Sequence, residues 1–224
     1  MAVDFTTLFV DLDDTVYPSS TGLWGAIRRR MDQYMVERLH MSPDEVHTLR
    51  PYYFQTYGTT LRGLQIHHQV DAHEFLAYVH DLPLKEYLLP APELREILLS
   101  IPQKRWIFTN ADVNHARRVL SVLELEGVFE GIIDIFALEY ACKPNELAYQ
   151  RAMRIAGART PAECVLIDDS KTNLDGAKMS GFTTLLIHPD GSQEQCEHII
   201  LPELQVLPRI MPELWQVRDD GHTN

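Results

Sequence analysis

The chain has 224 residues, 45% of them hydrophobic, and a formal net charge of -12. That is enough apolar material for one full core plus an insertion or small second domain, and it excludes bulk disorder. Such an acidic balance argues against a nucleic-acid polymer as partner, yet it suits a metal cation and leaves room for a small phosphorylated metabolite in one local pocket.

TTLFVDLD (6–13) reads as a buried strand running into the acids Asp11 and Asp13. Its surroundings, MAVDFTTLF, lack the basic flank and apolar core of a signal peptide. No comparable strand follows between Asp14 and about Pro90. GLWGAIRRRMDQYMVERL (22–39), SPDEVHTLRPYYFQTYG (42–58) and DAHEFLAYVHDL (71–82) read as amphipathic helices, the second entered through Ser42 and Pro43. An interval of roughly 75 residues is too long for a loop inside a compact domain, so a helical insertion over the carboxyl end of the first strand is expected.

Beyond it come four more short apolar runs: KRWIFTN (104–110), GIIDIF (131–136), CVLIDD (164–169) and TTLLIH (183–188). Runs of this kind suit a parallel sheet covered on both faces. NHARRVLSVLEL (114–125), NELAYQRAMRIAG (145–157) and SKTNLDGAKMSG (170–181) read as the helices between them. The tail holds one last short strand or edge segment, room for a helix, and a polar end expected to fray. The alternation predicts an α/β fold, a Rossmann-like doubly wound, mainly parallel sheet with a helical cap inserted after the first strand. Residues 1–17 and 89–224 would form the core and 18–88 the cap.

Cys142, Cys164 and Cys196 lack CxxC spacing, which fits neither a disulfide framework nor a zinc site. No run approaches the ~18 apolar residues of a membrane span. A cytoplasmic protein with no membrane partner is expected.

Function in an open α/β sheet gathers beyond the carboxyl ends of the strands. Asp11 and Asp13, Thr109 and Asn110, Lys143, and Asp168 and Asp169 all fall at such ends. Several carboxylates at one edge call for a cation, and hard oxygen ligands select Mg2+, which also binds phosphate oxygens. With Thr109, Asn110 and Lys143 receiving a phosphoryl group, Asp11 becomes the candidate nucleophile. Asp13, two residues on, becomes the candidate general acid and then base.

DLDDT (11–15), the Thr of IFTNA, the Lys of ACKPN and the acidic pair of VLIDDS resemble, in order, the four motifs of the haloacid dehalogenase-like hydrolase superfamily. The resemblance covers nearly the whole chain. It implies a mobile cap and a magnesium ion held by Asp11, the main-chain carbonyl of Asp13, and Asp169, with Asp168 behind or bridged by water. The acid at position 13 sets the chain apart from the superfamily's dehalogenase and phosphonatase variants. A narrower likeness, YYFQTYGTTLRGLQIHHQVDAHEFLAYVHD with WIFTNADVNHARRVL, is to the pyrimidine 5'-nucleotidase branch. It implies a pyrimidine nucleoside 5'-monophosphate as substrate and places Arg62 toward it. A sugar-phosphate or phosphoglycolate phosphatase and a phosphomutase share the same core. A phospho-accepting receiver module combines similar residues, but its acidic pair comes first and its Lys last, and it has no use for a cap.

Plainer readings stand beside these. Asp14 suits a turn, Thr15 a brace for that turn, and Asn173 the first turn of a helix. Arg28, Arg29 and Arg30 suit a solvated helix face, and His67 and His68 suit cap packing or surface. The Tyr52, Tyr53, Tyr57 cluster suits a cap core, with one ring available to stack on a base.

Overall fold

The computed structural model describes residues 4–190 and 197–215. Cys196 and the polar end expected to fray lie outside them. Six strands form one sheet: β1 (Thr7–Val10), β2 (Lys104–Phe108), β3 (Gly131–Ile133), β4 (Cys164–Asp168), β5 (Thr183–Ile187) and β6 (Ile199–Leu201). Their order is β3-β2-β1-β4-β5-β6, and every neighbouring pair is parallel. The expected doubly wound sheet is therefore present. Chain direction across the sheet reverses between β1 and β4, which puts the switch point at Asp11 and Asp168.

Side chains alternate faces along each strand, and the two faces build separate clusters. Leu8, Val10, Ile107, Val165 and Ile167 pack on one side with Leu94 and Leu98 of α5 (Pro92–Ser100) and with Ala116 and Val119 of α6 (Val113–Val122). Phe9, Phe108 and Leu166 pack on the other with Ala148 and Tyr149 of α7 (Glu146–Ala156) and Leu174 of α8 (Lys171–Met179). Both faces are covered, which is why the strands read as continuous apolar runs.

Between β1 and β2 lie α1 (Leu23–Leu39), α2 (Pro43–Tyr57), α3 (Thr60–His68) and α4 (Ala72–Val79). They close around their own cluster of Tyr34, Met35, Tyr53, Leu64, Phe75 and Val79, joined by Ile135 and Cys142 from the loop after β3. Leu23, Ile27, Leu84 and Leu88 instead pack with the sheet cluster, so both junctions of the insertion are anchored in the core. Ser42 and Glu45 form a reciprocal capping box at the start of α2.

Two helices were not legible in the sequence. Helix α3 has only nine residues and contains Gly63, which lowers helix propensity. Gly63 is there for contact: a Cβ on it would lie 2.3 Å from the Tyr53 ring. Helix α5 carries its apolar pair, Leu94 and Leu98, on a short segment entered through Pro92. Strand β3 stops at Ile133, short of the apolar run, because Asp134 turns the chain by accepting from the Val113 and Ala137 amides at 2.9 and 2.8 Å. Arg30 leaves the solvated face expected for it. Its guanidinium lies 3.9 Å from the Tyr78 ring centroid and donates to the Tyr78 carbonyl, tying α1 to α4. No helix among the described residues is long and apolar enough to cross a membrane.

Candidate active site

The site forms where β1 and β4 end side by side. The Asp11 amide continues the ladder by donating to the Ile167 carbonyl at 2.9 Å. This register places Asp11 beside Asp168 and Asp169. One carboxylate oxygen from each of the three lies within 4.8 Å of the others, the one such metal-sized group among the described residues. Asp13, which the resemblance brings to the metal only through its carbonyl, keeps its side chain outside this trio.

Lys143 enters from the loop after β3. Its ammonium donates to Asp11 Oδ1 at 2.7 Å, to Asp168 Oδ2 at 2.6 Å and to the Phe108 carbonyl at 2.7 Å, which uses all three of its hydrogens. Its side chain is fully buried. Burial alone would favour the neutral amine, but Asp11 and Asp168 outweigh it and hold the ammonium well above its ordinary pKa. One cation still faces three acids. Burial, then the charges of Asp168 and Asp169, leaves the Asp11 carboxyl raised despite Lys143. Burial, with the charges of Asp168 and Asp14, pushes Asp169 up to about 7.

The partners of Asp168 leave it little freedom. Besides Lys143, it accepts from the Ser170 amide at 2.8 Å and from Asn173 Nδ2 at 3.1 and 3.2 Å. Asn173 is thus a brace for the acidic loop as well as a first-turn residue of α8. Asp169 stands beside it, open to solvent over part of its surface while its carboxylate is crowded by the neighbouring acids. Asn110 sits at the end of β2 as expected, but its side-chain amide is committed to protein. It donates to the Lys143 carbonyl at 3.0 Å and accepts from the Lys143 amide at 2.9 Å, clamping that loop. Thr109 is buried, and its hydroxyl accepts from the Ala111 amide at 3.0 Å.

Asp13 faces a different set of groups. Its Oδ1 accepts from the Tyr17 hydroxyl at 2.6 Å and lies 2.9 Å from His115 Nε2. The His115 ring stacks on His80 with centroids 4.0 Å apart and planes 13° from parallel. His80 Nδ1 lies 2.7 Å from Asp112 Oδ2. Burial alone would raise the Asp13 carboxyl, but the His115 charge and these hydrogen bonds hold it below its ordinary value. Tyr17, His80 and His115 were not singled out in the sequence. The available signal was a histidine on the buried stripe of α6, with Ala116 and Val119.

The insertion reaches the site through Gly58, between α2 and α3. Gly58 has φ +82, and a Cβ there would meet Cys142 Sγ at 2.9 Å and the Lys143 carbonyl at 3.1 Å. Gly58→Ala is therefore expected to cost about 1–3 kcal/mol, because it combines a left-handed backbone with a close approach. It should also lower kcat by displacing the Lys143 loop. Urea denaturation and steady-state kinetics check this, and an unchanged midpoint would mean that the loop yields freely. Arg62, on the first turn of α3, contacts Gln65 at 3.4 Å. Burial raises the Cys142 thiol, while a Thr59 hydrogen bond and the Arg62 charge pull it the other way. Tyr53 is buried and Tyr52 largely exposed. His67 and His68 bond the Tyr57 and Tyr53 hydroxyls at 2.7 and 2.8 Å, on the cap surface.

Residues 5–181 match the family model described as haloacid dehalogenase-like hydrolase. Over 206 residues the chain is 29% identical to Phosphate metabolism protein 8 of Saccharomyces cerevisiae, covering 86% of this chain and 64% of the yeast protein. Among solved structures, YfnB of Bacillus subtilis bound to magnesium superposes with TM-score 0.62 at 15% identity, over 92% of this chain and 98% of that one. A HAD phosphatase from Thermococcus onnurineus gives 0.60 at 20% identity, over 92% and 97%. The L-2-haloacid dehalogenase of Xanthobacter autotrophicus, with chloropropionic acid covalently bound, gives 0.58 at 17% identity, over 93% and 98%. These structural likenesses establish the fold.

Proposed function

The chain belongs to the haloacid dehalogenase-like hydrolase family, and on that premise we propose that it is a Mg2+-dependent phosphatase of small phosphomonoesters. The observation that carries the reading is the convergence of Asp11, Asp168 and Asp169 on a space of ionic size with Lys143 beside them. The donor set fits magnesium: three hard carboxylates under-compensated by one ammonium, with burial and then their neighbours' charges raising the Asp11 and Asp169 carboxyls. Asp11 and Asp169, with the main-chain carbonyl of Asp13, would hold the ion, and Asp168 would anchor Lys143 and orient the loop. When bound, the ion supplies positive charge that offsets the carboxylates and the transferring phosphoryl group.

The chain's own residues divide the chemistry. Lys143 holds Asp11 Oδ1, leaving the second oxygen to attack phosphorus and form an aspartyl phosphate. The dianionic ester offsets the pull of His115 and Tyr17 and favours protonated Asp13, which donates that proton to the leaving oxygen as its bond to phosphorus breaks. Asp13 then takes a proton from water as the water attacks the aspartyl phosphate, which releases phosphate and restores Asp11. Thr109 receives a phosphate oxygen beside the main chain at Asn110, and the Lys143 ammonium, its three hydrogens held by Asp11, Asp168 and the Phe108 carbonyl, offsets the phosphoryl charge from a fixed place. Residues 18–88 act as a cap whose closure excludes water during transfer. The Arg62 face of the cap, beside the Lys143 loop, would meet the substrate. The YGTTLRGL segment there favours a pyrimidine nucleoside 5'-monophosphate.

A screen of phosphate release decides between substrates. It would cover nucleoside 5'-monophosphates, sugar phosphates and phosphoglycolate, with and without Mg2+, alongside halide release from L-2-chloropropionate. Metal-dependent release from UMP and CMP above the rest is expected. Preference for phosphoglycolate or sugar phosphates would overturn the pyrimidine assignment, and halide release without phosphate release would overturn the phosphatase.

The acids also predict a pH dependence for metal binding. Asp169 ionises near pH 7 in the metal-free fold, against about 3.9 in an unfolded chain. The folded form holds its proton more tightly, so this group stabilises the metal-free fold at low pH, and that contribution is lost as pH rises through about 7. A cation binds the ionised acids and restores what was lost. The rise in Tm on adding Mg2+ should therefore be larger at pH 8 than at pH 5.5. Equal rises at both values would remove Asp169 from the ligand set.

A further inference from the structure

We propose that His115 is a positioning residue for Asp13, held in place by its stack on His80 and by the Asp112 carboxylate beneath. The inference rests on the phosphatase reading, in which Asp13 carries the proton to and from the reacting oxygens. Its basis is geometric. His115 Nε2 and the Tyr17 hydroxyl both converge on Asp13 Oδ1, at 2.9 and 2.6 Å. Two donors on one oxygen fix the carboxylate's rotation and leave Oδ2 as the proton carrier.

The His115 ring is fully buried, and its other nitrogen, Nδ1, has no hydrogen-bond partner among the described residues. A residue present only for packing would not bring an unsatisfied polar atom into the interior, where that costs about 1–3 kcal/mol. A leucine or phenylalanine would fill the space without it. Among the described residues the one polar contact of the ring is the contact to Asp13, and that accounts for an imidazole at this position.

Asp112 fixes the stack from both sides. Its Oδ1 caps α6 by accepting from the Asn114 and His115 amides at 2.8 and 3.1 Å, and its Oδ2 meets His80 Nδ1 at 2.7 Å. Arg118 Nη1 then donates to the His80 carbonyl at 2.8 Å, and its Nη2 to that of Leu82 at 2.7 Å. His80 is the C-terminal cap of α4, the last helix of the insertion. The stack therefore joins the foot of the insertion to the carboxylate that moves the proton.

The test compares wild type, His115→Leu and His115→Gln on two probes, UMP and p-nitrophenyl phosphate. An alkyl ester such as UMP needs a proton on its leaving oxygen, whereas nitrophenolate leaves without one. His115→Leu should lower kcat for UMP by about 10- to 100-fold, within the range that general acid–base catalysis contributes, with KM changed less than about twofold. On p-nitrophenyl phosphate it should show a burst of nitrophenolate ahead of slowed phosphate release, because only the second step still needs Asp13. His115→Gln keeps an N–H at similar reach and should recover most of the rate, so it serves if the leucine variant fails to fold. Equal losses on both probes with no burst, or a rise in KM alone, would overturn the positioning role. An active wild type with an unaffected leucine variant would overturn it while leaving the phosphatase standing. A wild type that releases no phosphate from either probe would take both down.

Discussion

Asp11→Asn should abolish phosphate release while leaving the fold intact. An amide cannot form the acyl phosphate, and loss of a covalent nucleophile costs roughly four orders of magnitude or more in kcat. The substitution keeps the shape of the side chain, and the amide oxygen still accepts from Lys143. It also removes one of three crowded carboxylates whose burial and mutual repulsion raise the Asp11 pKa. The metal-free variant should therefore melt no lower than wild type, and its response to Mg2+ should weaken because a ligand has lost its charge. Phosphate release and thermal melts with and without Mg2+ separate these effects. Wild-type turnover in Asp11→Asn would remove this residue from the chemistry.

Lys143→Met should have the largest effect on stability. The substitution preserves the buried stem and removes the one cation that, among the described residues, bonds Asp11 and Asp168. Removing one partner of a buried ion pair costs about 3–5 kcal/mol, because the other charge is left uncompensated. For a domain of this size that is a fall of roughly 6–20 °C in Tm. Part of the loss will be recovered by protonating the raised acids, so the deficit should shrink at pH 5.5. Mg2+ should also restore part of it by supplying positive charge. Activity should stay at least about 10²-fold down even with the metal, because Mg2+ cannot replace an ammonium held at a fixed point in the site. A metal-free Tm equal to wild type would show that the acids tolerate one another without this lysine.

Asp11 was visible in the sequence because its surroundings are local and repetitive, whereas Lys143, in the loop after β3, stood out through its ACKPN setting. An apolar run that stops at an acid, or at Thr109 and Asn110, marks the end of a buried parallel strand, where polar groups are otherwise excluded. The helices with long amphipathic stripes and clear caps were visible for the same reason. Helix α3 was not, since a nine-residue segment containing glycine has weak local preference and forms because Tyr53 lies against Gly63. Arg30 read as a surface charge because nothing local announces the Tyr78 ring that receives it.

The sequence by itself determined the kind of sheet, the interval occupied by helices, and the carboxylates at the strand ends, because strand and helix periodicities and chain polarity are properties of neighbouring residues. Only the tertiary structure decided which of those ends meet. The strand order sets β4 beside β1, bringing Asp168 and Asp169 to Asp11 across more than half of the chain. It also committed the Asn110 amide to the Lys143 loop and stacked His80 on His115 behind Asp13. Such pairings depend on the spacing of elements packed across a core, and no local pattern along a single strand or helix encodes that distance.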